Sequence, residues 1–132
     1  MMKQEWSSCE YGQKAKKKLT RVDITDYERT EFGLTRLFSD IYGDDIKFVA
    51  VMRTFYLYNY HTGIWEANLD GRVERIVELF LSKDCPMLIN RIADAETRRI
   101  FHNWIMKKQS DAIICGILRN LKRKRKDRKS VV

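Results

Sequence analysis

From Thr30 onward the apolar positions fall into runs of two different periods. Leu34, Leu37, Phe38, Ile41 and Tyr42 recur at the i, i+3, i+4, i+7, i+8 spacing of one helix face. Thr30 ahead of Glu31 suits an N-cap, and Gly43 is placed to end the helix in a left-handed conformation. The period then shortens. Ile46, Phe48 and Ala50 alternate with Lys47, Val49 and Val51, which predicts a strand, with Met52 and Arg53 as its turn. Residues 54–60, rich in β-favouring aromatics, predict a second strand. His61, Thr62 and Gly63 read as a hairpin loop with Gly63 at positive φ, and Ile64 to Ala67 return as a third strand. Alternation sends Phe55, Leu57 and Asn59 to one face of the middle strand and Tyr56, Tyr58 and Tyr60 to the other. The pattern alone does not decide which face packs on helices.

Helical spacing resumes with Val73, Ile76, Val77, Phe80 and Leu81, where Asp70 is the expected cap and Pro86 the expected interruption. A further helix is predicted over about Ile92 to Lys107, with Ile100, Phe101, Trp104 and Ile105 facing inward. Ser110 or Asp111 caps a last one carrying Ile113, Ile114, Ile117, Leu118 and Leu121. The fold class is therefore α+β: an N-terminal helix, a three-stranded antiparallel meander and a mainly helical C-terminal half. Residues 1–24 show no period and are expected to form a flexible basic segment. Residues 25–121 form one domain, and residues 122–132 a basic, disordered tail.

Charge sharpens that division. The 132 residues carry a net charge of +8. Arg119 to Lys129 hold eight of the 26 basic residues and one of the 18 acidic ones, which leaves the remainder almost neutral. A smaller basic run lies at Lys14, Lys16, Lys17, Lys18 and Arg21. Clustered positive charge of this kind attracts polyanions, while its bland role is to keep a surface solvated. No apolar run approaches the ~18 residues of a membrane span, and no secretory signal is visible. The chain reads as cytoplasmic, or nuclear in a eukaryotic host through the Lys122 to Lys126 run. Three cysteines, Cys9, Cys85 and Cys115, lack CxxC or metal-ligand spacing, and their odd number fits a reducing compartment. Cys115 reads as a small core residue.

Catalytic signatures are absent from the sequence. There is no phosphate-binding GxxxxGK[ST], no GxGxxG, no GxSxG and no HExxH. His61 and His102 are isolated, Asp44 and Asp45 read as turn formers, and Glu74, Glu78, Asp94 and Glu96 as surface charges beside Arg75, Arg98 and Arg99. No enzymatic activity, metal or cofactor is expected.

The segment from Thr30 to Phe80 carries a more specific order of parts: Tyr42-Gly43-Asp44-Asp45 ending a helix, Ile46 to Val49 as a strand, Phe55 to Tyr60 with alternating aromatics, Thr62-Gly63, Ile64-Trp65, then Asp70 to Phe80 as a capped helix. In this order it resembles the domain preceding the superfamily-three helicase in phage, plasmid and poxvirus primase–helicases. The resemblance covers about forty per cent of the chain and implies a DNA-replication setting. The family's phosphate-binding loop and metal-binding primase motifs are missing here, so ATPase and primase activity are not implied. The chain is open to being free-standing, a decayed gene product or a fragment of a larger protein.

The expected function is a replication-associated DNA-binding module. Lys122, Arg123, Lys124, Arg125, Lys126, Arg128 and Lys129 would contact phosphates, and Tyr56, Tyr58 and Tyr60 would stack on single-stranded bases. The alternative is a module that docks on a helicase, polymerase or other replication factor without touching DNA. Membrane attachment is not expected, since Val131 and Val132 offer hardly any apolar anchor.

Overall fold

A computed structural model describes residue 15 and residues 17–131, with side chains up to Arg123; expectations for Cys9, Lys14 and Lys16 lie outside these. The fold is α+β, as the two periods predict. Helix α1 (Glu31–Tyr42) leads into strands β1 (Ile46–Val49), β2 (Thr54–Asn59) and β3 (Ile64–Ala67). Helix α2 (Arg72–Leu79) runs through a π-helical turn (Phe80–Asp84) into α3 (Cys85–Asn90), and α4 (Ala95–Met106) and α5 (Asp111–Val131) follow. The sheet is an antiparallel meander in the order β1-β2-β3. Thr30 caps α1 as expected, accepting from the Gly33 amide at 3.0 Å.

Leu34, Leu37, Phe38 and Ile41 of α1 meet Val73, Ile76, Phe80 and Leu81, and Ile105 and Ile117 close the same core. The sheet contributes Ile46, Phe55 and Leu57, so the Phe55 and Leu57 side of β2 is the packed one. One buried polar pair joins two helices: Asn120 of α5 donates to the Thr35 hydroxyl of α1 at 3.2 Å. The Trp104 indole N–H is buried without a partner among the described residues.

Several local expectations are corrected. The domain begins before Thr25: Ala15, Leu19 and Ile24 are buried in the core, and the Arg91 guanidinium donates to the Leu19 carbonyl at 2.6 Å. Three apolar residues scattered among lysines are too few to show a period. Gly43 is right-handed, at φ −62°, and its lack of a side chain serves a close approach, with the Ser39 carbonyl oxygen 2.3 Å from where a Cβ would stand. Gly63 does take positive φ, 73°. β1 ends at Val49, and residues 50–53 form the turn, with Arg53 at φ 54°. Asp70 does not cap α2. Asn68 accepts from the Val73 amide at 3.0 Å, while Asp70 pairs with Arg72.

The chain is not broken at Pro86. The π-helical turn carries the helix forward, and Pro86 falls in the first turn of α3, with the Leu81 carbonyl of the preceding turn accepting from the Gln109 side chain at 2.7 Å. Helix α4 starts at Ala95 under an Asp94 cap, and Ile100 lies on its exposed side. Cys115 is exposed, and the buried thiol is that of Cys85. Finally, the backbone of α5 stays helical past Leu121 to Val131. Lys and Arg are good helix formers, no Gly or Pro follows Gly116, and cations suit a helix C-terminus.

Candidate nucleic-acid interface

Strand register fixes what each sheet face displays. Tyr58 stands opposite Trp65, Tyr56 opposite Ala67, and Lys47 opposite Tyr56. Phe55 and Leu57 point into the core, so Lys47, Tyr56, Tyr58 and Trp65 share the outward face, all half-buried. The Tyr58 and Trp65 rings meet edge-on at 5.3 Å between centroids, and the Lys47 ammonium lies 4.2 Å from the centre of the Trp65 ring. A cation held over an aromatic face keeps its charge available, since the ring neutralises none of it. Lys47 forms no ion pair with a described residue.

Tyr60 behaves differently from its two neighbours in the alternation. It lies just past β2, touches the Tyr58 ring edge-on at 4.7 Å, and donates its hydroxyl to Asp45, which is itself buried. Burial, and then the Asp45 carboxylate, push the Tyr60 phenol well above its ordinary range, so it remains a donor. Asp45 is an anchoring group as well as a member of the turn after α1, where its amide donates to the Tyr42 carbonyl at 3.0 Å. Tyr60 buttresses the platform that Tyr56, Tyr58 and Trp65 present.

Of the expected phosphate contacts, Lys122 and Arg123 are described. Both are exposed on α5 where it passes the sheet. The Lys122 ammonium sits over the packed side of the sheet, 5.3 Å from the Phe48 ring centre and 5.9 Å from that of Phe55. The side chains of Lys124, Arg125, Lys126, Arg128 and Lys129 lie outside the described residues. In the N-terminal basic run, Lys18 pairs with Asp44, while Lys17 and Arg21 are exposed.

Sequence reasoning missed Trp65 and Lys47. Both were legible, because a hairpin of known loop length sets which residues of the neighbouring strands share a face with Tyr58.

Among the described residues no group of His, Cys, Asp and Glu is placed to hold a metal ion, and no helix is long and apolar enough to cross a membrane. His61 and His102 are both exposed, and Glu96 pairs with Arg99 at 2.5 Å. No family model, curated protein or solved structure matches the chain.

Proposed function

We propose that this chain binds single-stranded nucleic acid on the outward face of its sheet, as a replication-associated module of the kind that precedes superfamily-three helicases. The observation that carries the reading is the half-buried set Tyr56, Tyr58 and Trp65 on one face with the Lys47 ammonium among them. Flat rings accept any base by stacking, and an unpaired ammonium beside them meets the phosphate that links two bases. The basic end of α5 adds sequence-independent attraction. DNA in a replication setting is the substrate that the order of parts from Thr30 to Phe80 suggests, and the module works without ATPase or primase activity of its own.

The test is binding of fluorescent oligothymidylate and of a matched duplex across a salt series. Tighter binding of the single strand, with affinity falling as salt rises, is expected. Equal binding of the two forms would remove the aromatic face from the mechanism.

A second reading, docking on a helicase, polymerase or other replication factor, is favoured by one end of the sheet. Val51 in the β1–β2 turn is 90% exposed and Leu69, just after β3, is 88% exposed. The antiparallel register brings these two to the same end. A partner that stays bound after nuclease treatment and in high salt would select this reading.

A further inference from the structure

The antiparallel ladder shows which backbone groups of β1 are already spent. The Tyr58 amide donates to the Asp45 carbonyl at 2.9 Å, so 45 and 58 are a hydrogen-bonded pair. Hydrogen-bonded and non-hydrogen-bonded pairs alternate, which makes Lys47 with Tyr56 and Val49 with Thr54 bonded pairs as well. The N–H and C=O groups of Ile46 and Phe48 then point away from β2, toward the open edge. No described residue bonds them. At the opposite edge one outward group, the Ala67 carbonyl, is taken by the Leu69 amide at 3.0 Å.

A cleft of about 320 Å³ lies against this same β1 edge. Phe38, Ile46, Phe48, Phe55 and Leu121 line it, with Lys18, Asp40, Asp44 and Lys47 around them. Two of the local carboxylates are engaged: Asp44 accepts from Lys18, and Asp40 accepts from the Tyr27 hydroxyl. Two of the local cations are not. Lys47 stands on the outward side of β1 over Trp65, Lys122 on the packed side over Phe48 and Phe55, and neither meets a carboxylate among the described residues.

We infer that the β1 edge is a strand-addition site for an extended segment of a partner protein in which acidic and apolar residues alternate. The partner's backbone would pair with Ile46 and Phe48, which supplies affinity independent of its sequence. Its apolar side chains would enter the cleft on the packed side, and its carboxylates, all on the outward face, would meet Lys47, which supplies specificity. Charge selects this occupant over a second copy of the chain, since self-pairing of β1 would bring the uncompensated lysines of both copies together. Lys47 also guards the edge against indiscriminate pairing, as lysines on edge strands do. The inference shares Lys47 with the proposed nucleic-acid face but rests on the backbone groups of Ile46 and Phe48, which that face does not use, so the two can fail separately.

The probe is a short fluorescent peptide alternating glutamate with leucine and valine, titrated into the full chain. Expected is saturable binding, weakened at least tenfold when lysine replaces glutamate. N-methylation of the alternate peptide amides that face β1 should abolish binding, while methylation of the other set leaves it intact. In amide exchange, Ile46 and Phe48 should slow on peptide addition, and Lys47 and Val49, already bonded to β2, should not change. Indifference to which set is methylated, or unchanged exchange at Ile46 and Phe48, would overturn the proposal. So would protection of those two amides by self-association before peptide is added, or by oligothymidylate in place of the peptide.

Discussion

The phenol of Tyr42, the last residue of α1, donates to the carboxylate of Asp84 at 2.5 Å and so ties that helix to the end of the π-helical turn. Burial raises the Asp84 carboxyl above its ordinary 3.8, against the opposing pull of the Tyr42 hydrogen bond. A carboxyl raised in the fold favours the folded state most at low pH. That contribution is lost as pH climbs from 3.8 through the raised folded value. Asp84→Asn keeps an acceptor for Tyr42 and removes the buried charge. It should raise stability at neutral pH and flatten the pH dependence above 3.8 in urea unfolding. Tyr42→Phe should do the reverse, costing about 1–3 kcal/mol by leaving the carboxylate without its donor.

Tyr58 and Tyr60 should separate by role. Tyr58→Ala is expected to weaken oligothymidylate binding about five- to a hundredfold, the equivalent of ~1–3 kcal/mol for one stacked base. Tyr60→Phe removes the hydroxyl that donates to the buried Asp45 carboxylate, so it should cost about 1.5–3 kcal/mol of stability, the range for a hydrogen bond to a charged group, and leave affinity within twofold. Fluorescence anisotropy beside thermal melts reads both quantities on the same samples.

A chain ending at Leu121 loses seven Lys or Arg residues, Lys122 to Lys129 with Asp127 between them. Each single-strand phosphate released from contact lowers the slope of log affinity against log salt by about 0.7. The truncated chain should bind more weakly and with a visibly shallower slope, while keeping its preference for single strands through the sheet. Loss of that preference would transfer the recognition to α5.

Two glycines should respond oppositely to alanine. At Gly116 a Cβ would meet the Glu31 carboxylate at 2.0 Å, but that group ends a flexible side chain and can turn aside. Gly116→Ala should therefore stabilise α5 by about 0.5–1 kcal/mol through helix propensity. At Gly33 the obstacle is the Glu28 carbonyl oxygen at 2.0 Å, fixed backbone. Gly33→Ala should cost about 1–3 kcal/mol, the usual penalty of overpacking. Thermal melts of the two variants decide.

Much of this architecture was legible because burial repeats. The spacing of Leu34, Leu37, Phe38 and Ile41 located α1, and the alternation of Phe55 and Leu57 with the tyrosines located the middle strand. What escaped had no repeat to reveal it. Leu19 and Ile24 join the core from a helical stretch and a 3-10 turn too short to show a repeat, and Asn68 accepts from the Val73 amide across five residues. Pro86 was misleading because its usual effect depends on a ladder that the turn before it has already loosened. The candidate interface was half visible. The tyrosines announced a face, but whether it is covered depends on where α5 lies, and that is set by contacts such as Asn120 with Thr35.

The extra residue in the turn Phe80–Asp84 spoils local regularity, and it does so to global effect. A helix advances about 100° per residue, so one surplus residue offsets the thread that follows by that angle. Upstream of the offset α2 lies against α5, and downstream α3 lies against α4 and the 24–26 turn. Shortening the turn by one residue would make a straighter rod and swing Leu88 and Ile89 toward water. One rod serves two walls of the molecule because its pitch is interrupted between them.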